Sequence, residues 1–410
     1  MKVTLVSYGT IGDCIPLVAL GTRLQAAGHH AVMVAEGHGR DLAERHGLEF
    51  HTLAGDITDL MRPGAAMTLT LEAGRFTRES LRADWRDDRA WLETIRAAAS
   101  GSDVLVGMPM ASYHALSVAG EVGAVPVVAE LQPLAPTKTF PPLGIGEVHA
   151  PAWLNKPLGR VVDAAGWALV ARPVNRARRT LGLPHVGNPT RGVRRLGAWS
   201  PTFIPRPADW PSRISVTGAW RLPPQEWRPD ADLQDFLDAG DPPVYVGFGS
   251  MPAYSGTQPL LDALSQGLAG RRVILSGSAT RTWPGPESPD VFWAGTVPHE
   301  WLFSRCAAVV HHCGAGTSHA ALLAGTPSLP MPLMLDQPFW AERLWALGVA
   351  SRPLDRRHPD PDAVRAALQT VETPDVRARA REIAEAVGAE DGTGAAVAAL
   401  EQLVAPPGRA

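Results

Sequence analysis

Short apolar runs that alternate with helical segments most strongly constrain how this chain of 410 residues can fold. In the N-terminal half, four runs are predicted to be buried strands: residues 2–7, 31–36, 103–107 and 125–130. A helix after the first run carries Leu17, Leu20 and Leu24 on one face, with Pro16 at its predicted start and Gly28 at its end. Strands that alternate with helices predict a parallel α/β sheet.

The same pattern restarts in the C-terminal half, with predicted strands at residues 243–250, 272–277, 307–312 and 327–332. A segment dense in proline and tryptophan, from Ala198 to Pro229, separates the two series and is typical of a stiff connector. Because the chain is also too long for one ordinary core, we predict two α/β domains with a cleft between them.

Bulk composition excludes several classes of protein. The formal net charge of −3 gives no general attraction to nucleic acid. The three cysteines, Cys14, Cys306 and Cys313, are too few and too scattered for the disulfide framework of a secreted domain. Gly9 and Gly12 interrupt the apolar N-terminus too early for a signal peptide, and no run reaches the roughly 18 apolar residues of a spanning helix. We therefore expect a cytoplasmic protein.

The stretch HHCGAGTSH, residues 311–319, follows a predicted strand and precedes a helical segment. Its residues His311, His312, Cys313 and His319 are all possible zinc ligands. Neighbouring residues on a strand point to opposite faces, so His311 and His312 do not readily bind one ion. A dinucleotide loop is also disfavoured, because that motif needs a third glycine and lies at the first strand of its domain.

Two interpretations of this stretch remain. In the first, Thr317 or Ser318 is simply the N-cap of a helix. In the second, the stretch holds a phosphate: glycines let the backbone approach an anion, and the helix that starts near Thr317 directs its N–H groups and its positive dipole end toward the loop. The two hydroxyls and the ring of His312 would then add further donors.

A second polar pair lies downstream, at Asp336 and Gln337. Pro338 suits the first turn of the next helix, which places the pair at the C-terminal end of a strand, where α/β sheets bind ligands. A carboxylate beside an amide is suited to hydroxyl groups. Phosphate next to a polyol indicates a nucleotide sugar.

With these motifs the sequence resembles the family 1 glycosyltransferases of the GT-B fold. It is most similar to the bacterial branch that looks like sterol glucosyltransferases and like glycopeptide and other natural-product glycosyltransferases. The resemblance is carried by residues 9–21, 200–220, 244–251 and 297–350. It implies two Rossmann-like parallel-sheet domains facing across a cleft. We expect an N-terminal acceptor domain at 1–208, a linker at 209–228, a nucleotide-sugar domain at 229–385, and a C-terminal helix and tail at 386–410 that pack back toward the first domain.

The resemblance implies an inverting, metal-independent transfer from a UDP- or dTDP-sugar, used as co-substrate without any cofactor. It assigns the diphosphate to Ser250, His312, Gly314, Gly316 and Thr317, the sugar hydroxyls to Asp336 and Gln337, and the nucleobase to the region of Val297, with Gly12 also at the donor. Plant members carry a tryptophan and a ribose-binding glutamate where this chain has Ala315 and Ala320, which leaves UDP and dTDP both open.

The resemblance also implies that Asp13 is the base that activates the acceptor, since the first loop carries no histidine. The competing role for Asp13 is a helix cap. If Pro16 is the first helical residue, the cap falls near Ile15 and Asp13 lies free in the loop. We expect the nearby helix N-terminus to favour the ionised carboxylate. A weak base can still act by accepting the proton late in the reaction.

Metal independence is consistent with the context of the two DxD pairs, which other glycosyltransferases use to hold a cation. These pairs, Asp230/Asp232 and Asp360/Asp362, are predicted to be solvated or helix-capping acids.

Apolar residues of the N-terminal half predict the acceptor. Methionine-rich walls suit bulky, irregular hydrophobic molecules, so we expect a lipophilic alcohol or phenol, such as a sterol-like or natural-product aglycone. The candidate wall residues, each of which is alternatively ordinary core, are Met61, Met67, Phe76, Met108, Met110, Phe140 and Trp153. His114 either assists Asp13 or fills a core helix, and Glu130 at a strand end either faces the cleft or caps a turn.

One basic cluster is predicted to be a solvated helix face that can also approach an anionic membrane or an acidic acceptor: Arg172, Arg176, Arg178, Arg179, Arg191, Arg194 and Arg195. Two other functions stay open at this point. One is a nucleotide-sugar-binding protein without transferase activity, and the other is a nicotinamide-dependent oxidoreductase.

Overall fold

The computed structural model describes residues 1–57, 59, 87–143, 151–223, 226–249, 256–284, 288–295 and 297–405. Ser250, Met61, Met67 and Phe76, four of the predicted site residues, lie outside this range, so their predicted roles stay predictions.

Seven parallel strands form the first sheet, which contains every strand predicted for the N-terminal half. They are β1 (Lys2–Val6), β2 (His30–Ala35), β3 (Glu49–Thr52), β4 (Val104–Gly107), β5 (Val125–Glu130), β6 (Arg194–Gly197) and β7 (Ile214–Val216). Their spatial order is β3-β2-β1-β4-β5-β6-β7. The described helices of this half are α1 (Ile11–Ala26), α2 (Arg40–Arg45), α3 (Asp88–Ala98), α4 (Pro109–Ser117), α5 (Ala119–Val122) and α6 (Ala152–Thr180).

Five parallel strands form the second sheet. They are β8 (Val244–Gly247), β9 (Val273–Ser276), β10 (Val291–Trp293), β11 (Ala308–His311) and β12 (Ser328–Pro330), in the order β10-β9-β8-β11-β12. The described helices here are α7 (Ala231–Asp238), α8 (Thr257–Gly267), α9 (His299–Phe303), α10 (Ala315–Ala324), α11 (Gln337–Ala346), α12 (Pro361–Val371), α13 (Pro374–Gly388) and α14 (Gly392–Val404). The prediction of two parallel α/β sheets is confirmed.

Helices cover both faces of the first sheet, which explains why its central strands are continuous apolar runs. On β2, Ala31 and Met33 belong to the core under α1, whereas Val32 and Val34 belong to the core under α3. The alternation follows from the two-residue period of a strand. Both cores hold the C-terminal ends of β1 and β4 in fixed positions.

The last helix, α14, lies on the first domain. Ala396, Val397 and Leu400 are buried in the same core cluster as Leu17 and Leu20 of α1. Ion pairs extend this contact at the surface, from Arg23 to Asp391 at 2.9 Å and from His29 to Glu401 at 2.8 Å. The segment assigned from the sequence to a C-terminal helix is therefore part of the first domain's core.

The proline- and tryptophan-rich segment is more than a connector. It contains β7, which extends the first sheet into the range assigned to the linker. Trp199 and Trp210 are 0% and 4% exposed and share a core cluster with Trp340 and Leu344 of α11. This segment therefore packs against the second domain instead of spanning a gap.

The basic cluster does not form one solvated helix face, so that prediction is wrong. Arg178 of α6 is 2% exposed and donates to the carbonyls of Pro184, at 2.8 Å, and Ser117. Arg195 lies on β6 and pairs with the buried Glu130. The exposed members on α6, Arg172, Arg176 and Arg179, line a groove of about 400 Å³ with Trp167 and His185. Within the described residues, no helix has the length and apolarity needed to cross a membrane.

Candidate functional site

The C-terminal ends of β8, β9 and β11 meet at one edge of the second sheet, and His312 lies there between two glycines. A Cβ atom on Gly249 would lie 2.9 Å from His312 Cε1, and one on Gly314 would lie 2.6 Å from His312 Nε2. Gly249 also has a φ of +60°, which a side chain would disfavour. These positions are glycine because the imidazole ring occupies the space on both sides.

Helix α10 begins at Ala315, two residues before the predicted start. Gly314 is its N-cap and has no side chain to satisfy the first turn, while the Ser318 N–H bonds the Gly314 carbonyl at 2.9 Å. The N–H groups of Ala315, Gly316 and Thr317 consequently have no intrahelical acceptor. The interpretation of Thr317 or Ser318 as the N-cap is wrong.

The hydroxyls of this turn differ in access. Gly316 is exposed and Thr317 partly exposed, whereas Ser318 is completely buried. The N-terminus of α10 therefore presents backbone donors and one hydroxyl, an arrangement that suits an anion through its dipole as well.

The three histidines of this stretch have different hydrogen-bond environments. His311 is buried, and its Nδ1 accepts from the Cys313 N–H at 3.2 Å, whereas His319 Nδ1 lies 2.7 Å from the Ala315 carbonyl. Burial, with a smaller contribution from His299, lowers the pKa of His312 to about 4. His312 is therefore neutral near pH 7 and presents a ring that can donate one hydrogen bond.

The turn between β12 and α11 holds the second predicted pair. Gln337 is 5% exposed, and its Oε1 accepts from the N–H groups of Leu333 at 2.8 Å and Met334 at 2.9 Å. This clamp supports the left-handed backbone of Leu335, whose φ is +57°. The Gln337 oxygen is thus committed to the turn, and the predicted contact of Gln337 with a sugar hydroxyl stays a prediction.

Asp336 is partly exposed at the same turn. Its Oδ2 accepts from Trp340 Nε1 at 2.8 Å, and burial raises the pKa of its carboxyl group. The charge of Asp336 also raises the pKa of the Cys313 thiol, although burial of that thiol is the larger cause. Asp336 therefore lies beside the strand end that carries His312.

Asp13 does not lie free in a loop, as the sequence had predicted. Helix α1 begins at Ile11, with Thr10 as N-cap and Pro16 inside the helix. Asp13 Oδ2 accepts from the Thr10 N–H at 2.8 Å and from Thr10 Oγ1 at 3.3 Å. Asp13 consequently both closes the first turn and borders the cleft, where the neighbouring Gly12 is exposed.

The pKa of Asp13 is raised to about 6, chiefly by burial. The hydrogen bonds from Thr10 oppose this shift, and the negative charge of Asp336 adds to it. The expectation that the helix N-terminus would dominate and favour the ionised form is wrong, because desolvation outweighs it. Asp13 belongs to the first domain and Asp336 to the second, so the charge of one domain acts on the candidate base of the other.

Several predicted acceptor residues are structural. His114 is fully buried in α4, with Nε2 2.6 Å from Asp88 Oδ1, which supports the core interpretation. Glu130 is fully buried beside Arg195, so it forms an internal ion pair and not a cleft wall. Met108 is 1% exposed and belongs to the core under α1.

The other acceptor candidates vary in exposure. Phe140 is 3% exposed and packs on Phe339 of α11, with ring centroids 5.2 Å apart, so it joins the two domains. Met110 and Trp153 are 42% and 69% exposed and remain accessible to a ligand. Val297 is partly exposed just before α9.

Sequence reasoning missed Glu36, which follows β2. Its side chain is 1% exposed, its Oε2 accepts from the Gly9 N–H at 2.9 Å, and its Oε1 accepts from the Ile57 N–H. Burial raises the pKa of Glu36 to about 7. The available signal was its position: an acid at the C-terminal end of a buried strand beside the predicted catalytic loop.

Comparison with known proteins agrees with this geometry. Residues 3–121 match the N-terminal domain of glycosyltransferase family 28, and residues 277–403 match the C-terminal domain of proteins like erythromycin biosynthesis protein CIII. The chain is 33% identical to O-mycaminosyltylonolide 6-deoxyallosyltransferase of Streptomyces fradiae, over 98% of this chain and 97% of that protein.

Two further comparisons concern the wider family. A sterol 3-beta-glucosyltransferase of Arabidopsis thaliana is 29% identical over 99% of this chain and 68% of the plant protein. The crystal structure of the glycosyltransferase of kitacinnamycin superposes with a TM-score of 0.73 at 20% identity and covers 99% of both chains.

The two parallel-sheet α/β domains and the likeness to this solved structure define the GT-B fold. The chain belongs to the GT-B glycosyltransferases, the family of its bacterial and plant relatives. This assignment removes the nicotinamide-dependent oxidoreductase from the functions left open by the sequence.

Proposed function

We propose that this enzyme transfers a sugar, with inversion and without a metal ion, from a UDP- or dTDP-sugar to a hydroxyl group of a lipophilic acceptor. The observation that carries the proposal is the open N-terminus of α10 at the strand-end edge of the second sheet, in the domain whose Asp336 raises the pKa of Asp13 in the first domain. Asp13 is the proposed base, and Asp336 is proposed to accept hydrogen bonds from sugar hydroxyls.

The donor diphosphate fits the N-terminus of α10. The N–H groups of Ala315, Gly316 and Thr317 and the helix dipole favour an anion there. A neutral His312 can donate one further hydrogen bond without bringing a charge of its own. These groups oppose the negative charge that develops on the leaving diphosphate, which is the task a metal ion performs in other enzymes.

The transfer step follows from the placement of the two carboxylates. The acceptor oxygen forms a bond to the anomeric carbon while the bond from that carbon to the diphosphate oxygen breaks. Asp13 takes the hydroxyl proton, and the diphosphate leaves with the electron pair. Because Asp13 and the phosphate cradle belong to opposite domains, attack and departure occur on opposite sides of the sugar, which supports inversion.

The raised pKa of Asp13 suits this role. A carboxylate with a pKa of about 6 binds a proton more strongly than an ordinary aspartate and is still largely ionised near pH 7. The proton is accepted late, when bond formation to the sugar has made the acceptor hydroxyl acidic.

The acceptor is proposed to be a lipophilic alcohol or phenol. The relatives support this class by their names, one acting on a tylonolide and the other on a sterol. The tylonolide enzyme is the more identical of the two and is matched over 97% of its length, which favours a natural-product aglycone. Ala315 and Ala320 stand where plant members place nucleotide-binding side chains, so both UDP- and dTDP-sugars are proposed donors.

Asp13→Asn tests the base. Asparagine keeps the shape and can still accept from the Thr10 N–H, but it cannot take a proton, so we expect turnover of an aliphatic alcohol to fall about 100- to 10,000-fold. Donor affinity in a calorimetric titration and the thermal midpoint should change little. Asp41→Asn, which changes an exposed first-turn aspartate of α2, is the matched control.

An acidic phenol should lose less activity than the alcohol, since it needs less help to lose its proton. Near-normal turnover of the alcohol by Asp13→Asn would remove Asp13 from the reaction.

A further inference from the structure

The Gly9–Thr10 backbone lies between two carboxylates. The Gly9 N–H donates to Glu36 Oε2 at 2.9 Å, and the next N–H, that of Thr10, donates to Asp13 Oδ2 at 2.8 Å. Gly9 has a φ of +156°, and a Cβ atom there would collide with Asp13 Oδ2. The conformation of this short loop is therefore fixed from one side by Glu36 and from the other by Asp13.

Glu36 anchors this loop to a third segment. Its second oxygen accepts from the Ile57 N–H, which follows β3, so one buried carboxylate joins the loop before α1 to the chain after β3. Ile57 is 3% exposed, and both N–H groups point into the protein, where water cannot replace the bonds. Each of these two donors is satisfied by a different oxygen of the Glu36 carboxylate.

The ionisable groups around this pair come from several elements. Glu36 faces Asp56 after β3 and Asp13 of α1, and both negative charges raise its pKa. Asp336 of the second domain acts on Asp13. Cys14 lies behind them, with Sγ 4.0 Å from His38 Nε2. Glu36 is therefore the buried member of an acidic group that surrounds the catalytic loop.

We propose that Glu36 is a positioning residue for glycosyl transfer: it holds the Gly9–Thr10 backbone so that Asp13 faces the acceptor hydroxyl. The inference rests on the proposed role of Asp13 as base. Glu36 touches neither substrate in this account and acts only through the loop. A displacement of about 1 Å at a reacting group can lower the rate about 100-fold, so loss of the anchor should be visible in turnover.

Two substitutions at Glu36 separate the effect of side-chain length from the effect of the negative charge. Glu36→Gln removes the charge and presents an NH₂ group to one of the two N–H donors, so one hydrogen bond is lost. Glu36→Asp keeps the charge but is one methylene shorter and cannot reach Gly9 and Ile57 together. Glu44→Gln is the control, because Glu44 is an exposed carboxylate of α2 that forms a surface ion pair with Arg40 at 2.8 Å.

The test measures kcat, the donor dissociation constant and the acid limb of kcat/KM for an aliphatic alcohol acceptor. For both Glu36 variants we expect kcat to fall about 10- to 100-fold with donor affinity unchanged. In both variants the acid limb should stay where Asp13 sets it, since burial and the charge of Asp336 raise the pKa of Asp13 without a contribution from Glu36. Adding either Glu36 substitution to Asp13→Asn should cause little further loss, because the group being positioned is already inactive.

A normal kcat in Glu36→Asp would overturn the proposal, and so would a double variant whose losses simply multiply. If Glu36→Gln shows no cooperative thermal transition, Glu36→Asp and its double variant decide the question. The two proposals fail separately: near-normal turnover by Asp13→Asn removes the base itself, whereas an impaired Asp13→Asn with normal Glu36 variants removes only the positioning role.

Discussion

The carboxylate of Asp13 closes the first turn of α1 through Thr10, and the same group faces Asp336 across the cleft. The first contact alone would make Asp13 a structural residue. The raised pKa distinguishes the second role, because a capping carboxylate at a helix N-terminus normally has a lowered pKa. Strongly perturbed acids in a cleft are typical of functional sites.

A pH profile is the residue-scale prediction. Asp13 acts as a base only when deprotonated, so kcat/KM should be full above its pKa of about 6 and fall as the pH drops through that value. In Asp336→Asn the acid limb should lie at lower pH, because a charge that raises the pKa of Asp13 is removed. The absolute rate of Asp336→Asn is also expected to fall. The comparison therefore uses the pH midpoint of the acid limb and not the maximal value of kcat/KM.

Two results of the pH profile would contradict this prediction. An acid limb near pH 4, the range of an unperturbed aspartate, would contradict burial of Asp13 in the working enzyme. An unchanged midpoint in Asp336→Asn would show that the two domains do not bring these carboxylates together in solution.

At the scale of elements, the turn between β12 and α11 depends on one amide side chain. Gln337 satisfies the N–H groups of Leu333 and Met334 while Leu335 keeps a left-handed backbone. The turn places Asp336 beside the strand end of His312. Its geometry is therefore a requirement of the site, although Gln337 itself offers the sugar no oxygen.

Gln337→Leu should destabilise the protein by roughly 1–3 kcal/mol for each backbone N–H left without an acceptor. Urea unfolding at an unchanged m-value measures this difference. Gln258→Leu is the control, since that exposed glutamine of α8 donates to the Asp262 side chain at the surface, at 2.9 Å. Equal midpoints for the two variants would mean that the clamp is not needed.

Element boundaries show where the sequence was informative. The central strands were predicted because they are buried on both faces and read as continuous apolar runs. Four strands were missed. Glu49–Thr52, Ile214–Val216 and Val291–Trp293 are edge strands, whereas Arg194–Gly197 lies inside the first sheet and begins with two arginines; each has only three or four residues, too few for a periodic signal. Pro16 misplaced the start of α1, whereas Thr10 and Asp13, spaced as in a capping box, mark the true start.

For the whole molecule, the donor edge could be predicted from residues 311–319 because one strand, one turn and one helix build most of it. The pairing of Asp13 with Asp336 could not, because it depends on how two separately folded sheets face each other. The ion pair of Glu130 with Arg195 was not predicted for a related reason. It depends on β6 lying next to β5, and no local sequence pattern indicates that neighbourhood.

Metal independence is a prediction about the whole molecule. It concerns the proposed diphosphate site at the N-terminus of α10 together with the acidic residues elsewhere in the chain. The first acids of both DxD pairs, Asp230 and Asp360, cap α7 and α12 by accepting from Leu233 N–H at 2.8 Å and Asp362 N–H at 2.9 Å. The capping interpretation is confirmed for these two. Transfer should therefore persist in excess EDTA, with a metal-dependent glycosyltransferase as the control. Activity that disappears with EDTA and returns with magnesium or manganese would contradict the proposed leaving-group stabilisation.

Helix α14 makes the first domain discontinuous in sequence: topologically, the second domain is an insertion between β7 and this helix. The chain passes between the domains twice, once after β7 and once before α14, and these two segments are in contact. A Cβ atom on Gly218 would lie 2.8 Å from the Cα of Gly392. Glu390 reinforces this point by accepting from Ser200 Oγ at 2.7 Å and Thr202 Oγ1 at 2.9 Å. A fragment that stops after β7 would thus lack part of the first domain's core. Proteolytic cleavage of the connector at one site would leave the two domains covalently joined through the segment before α14.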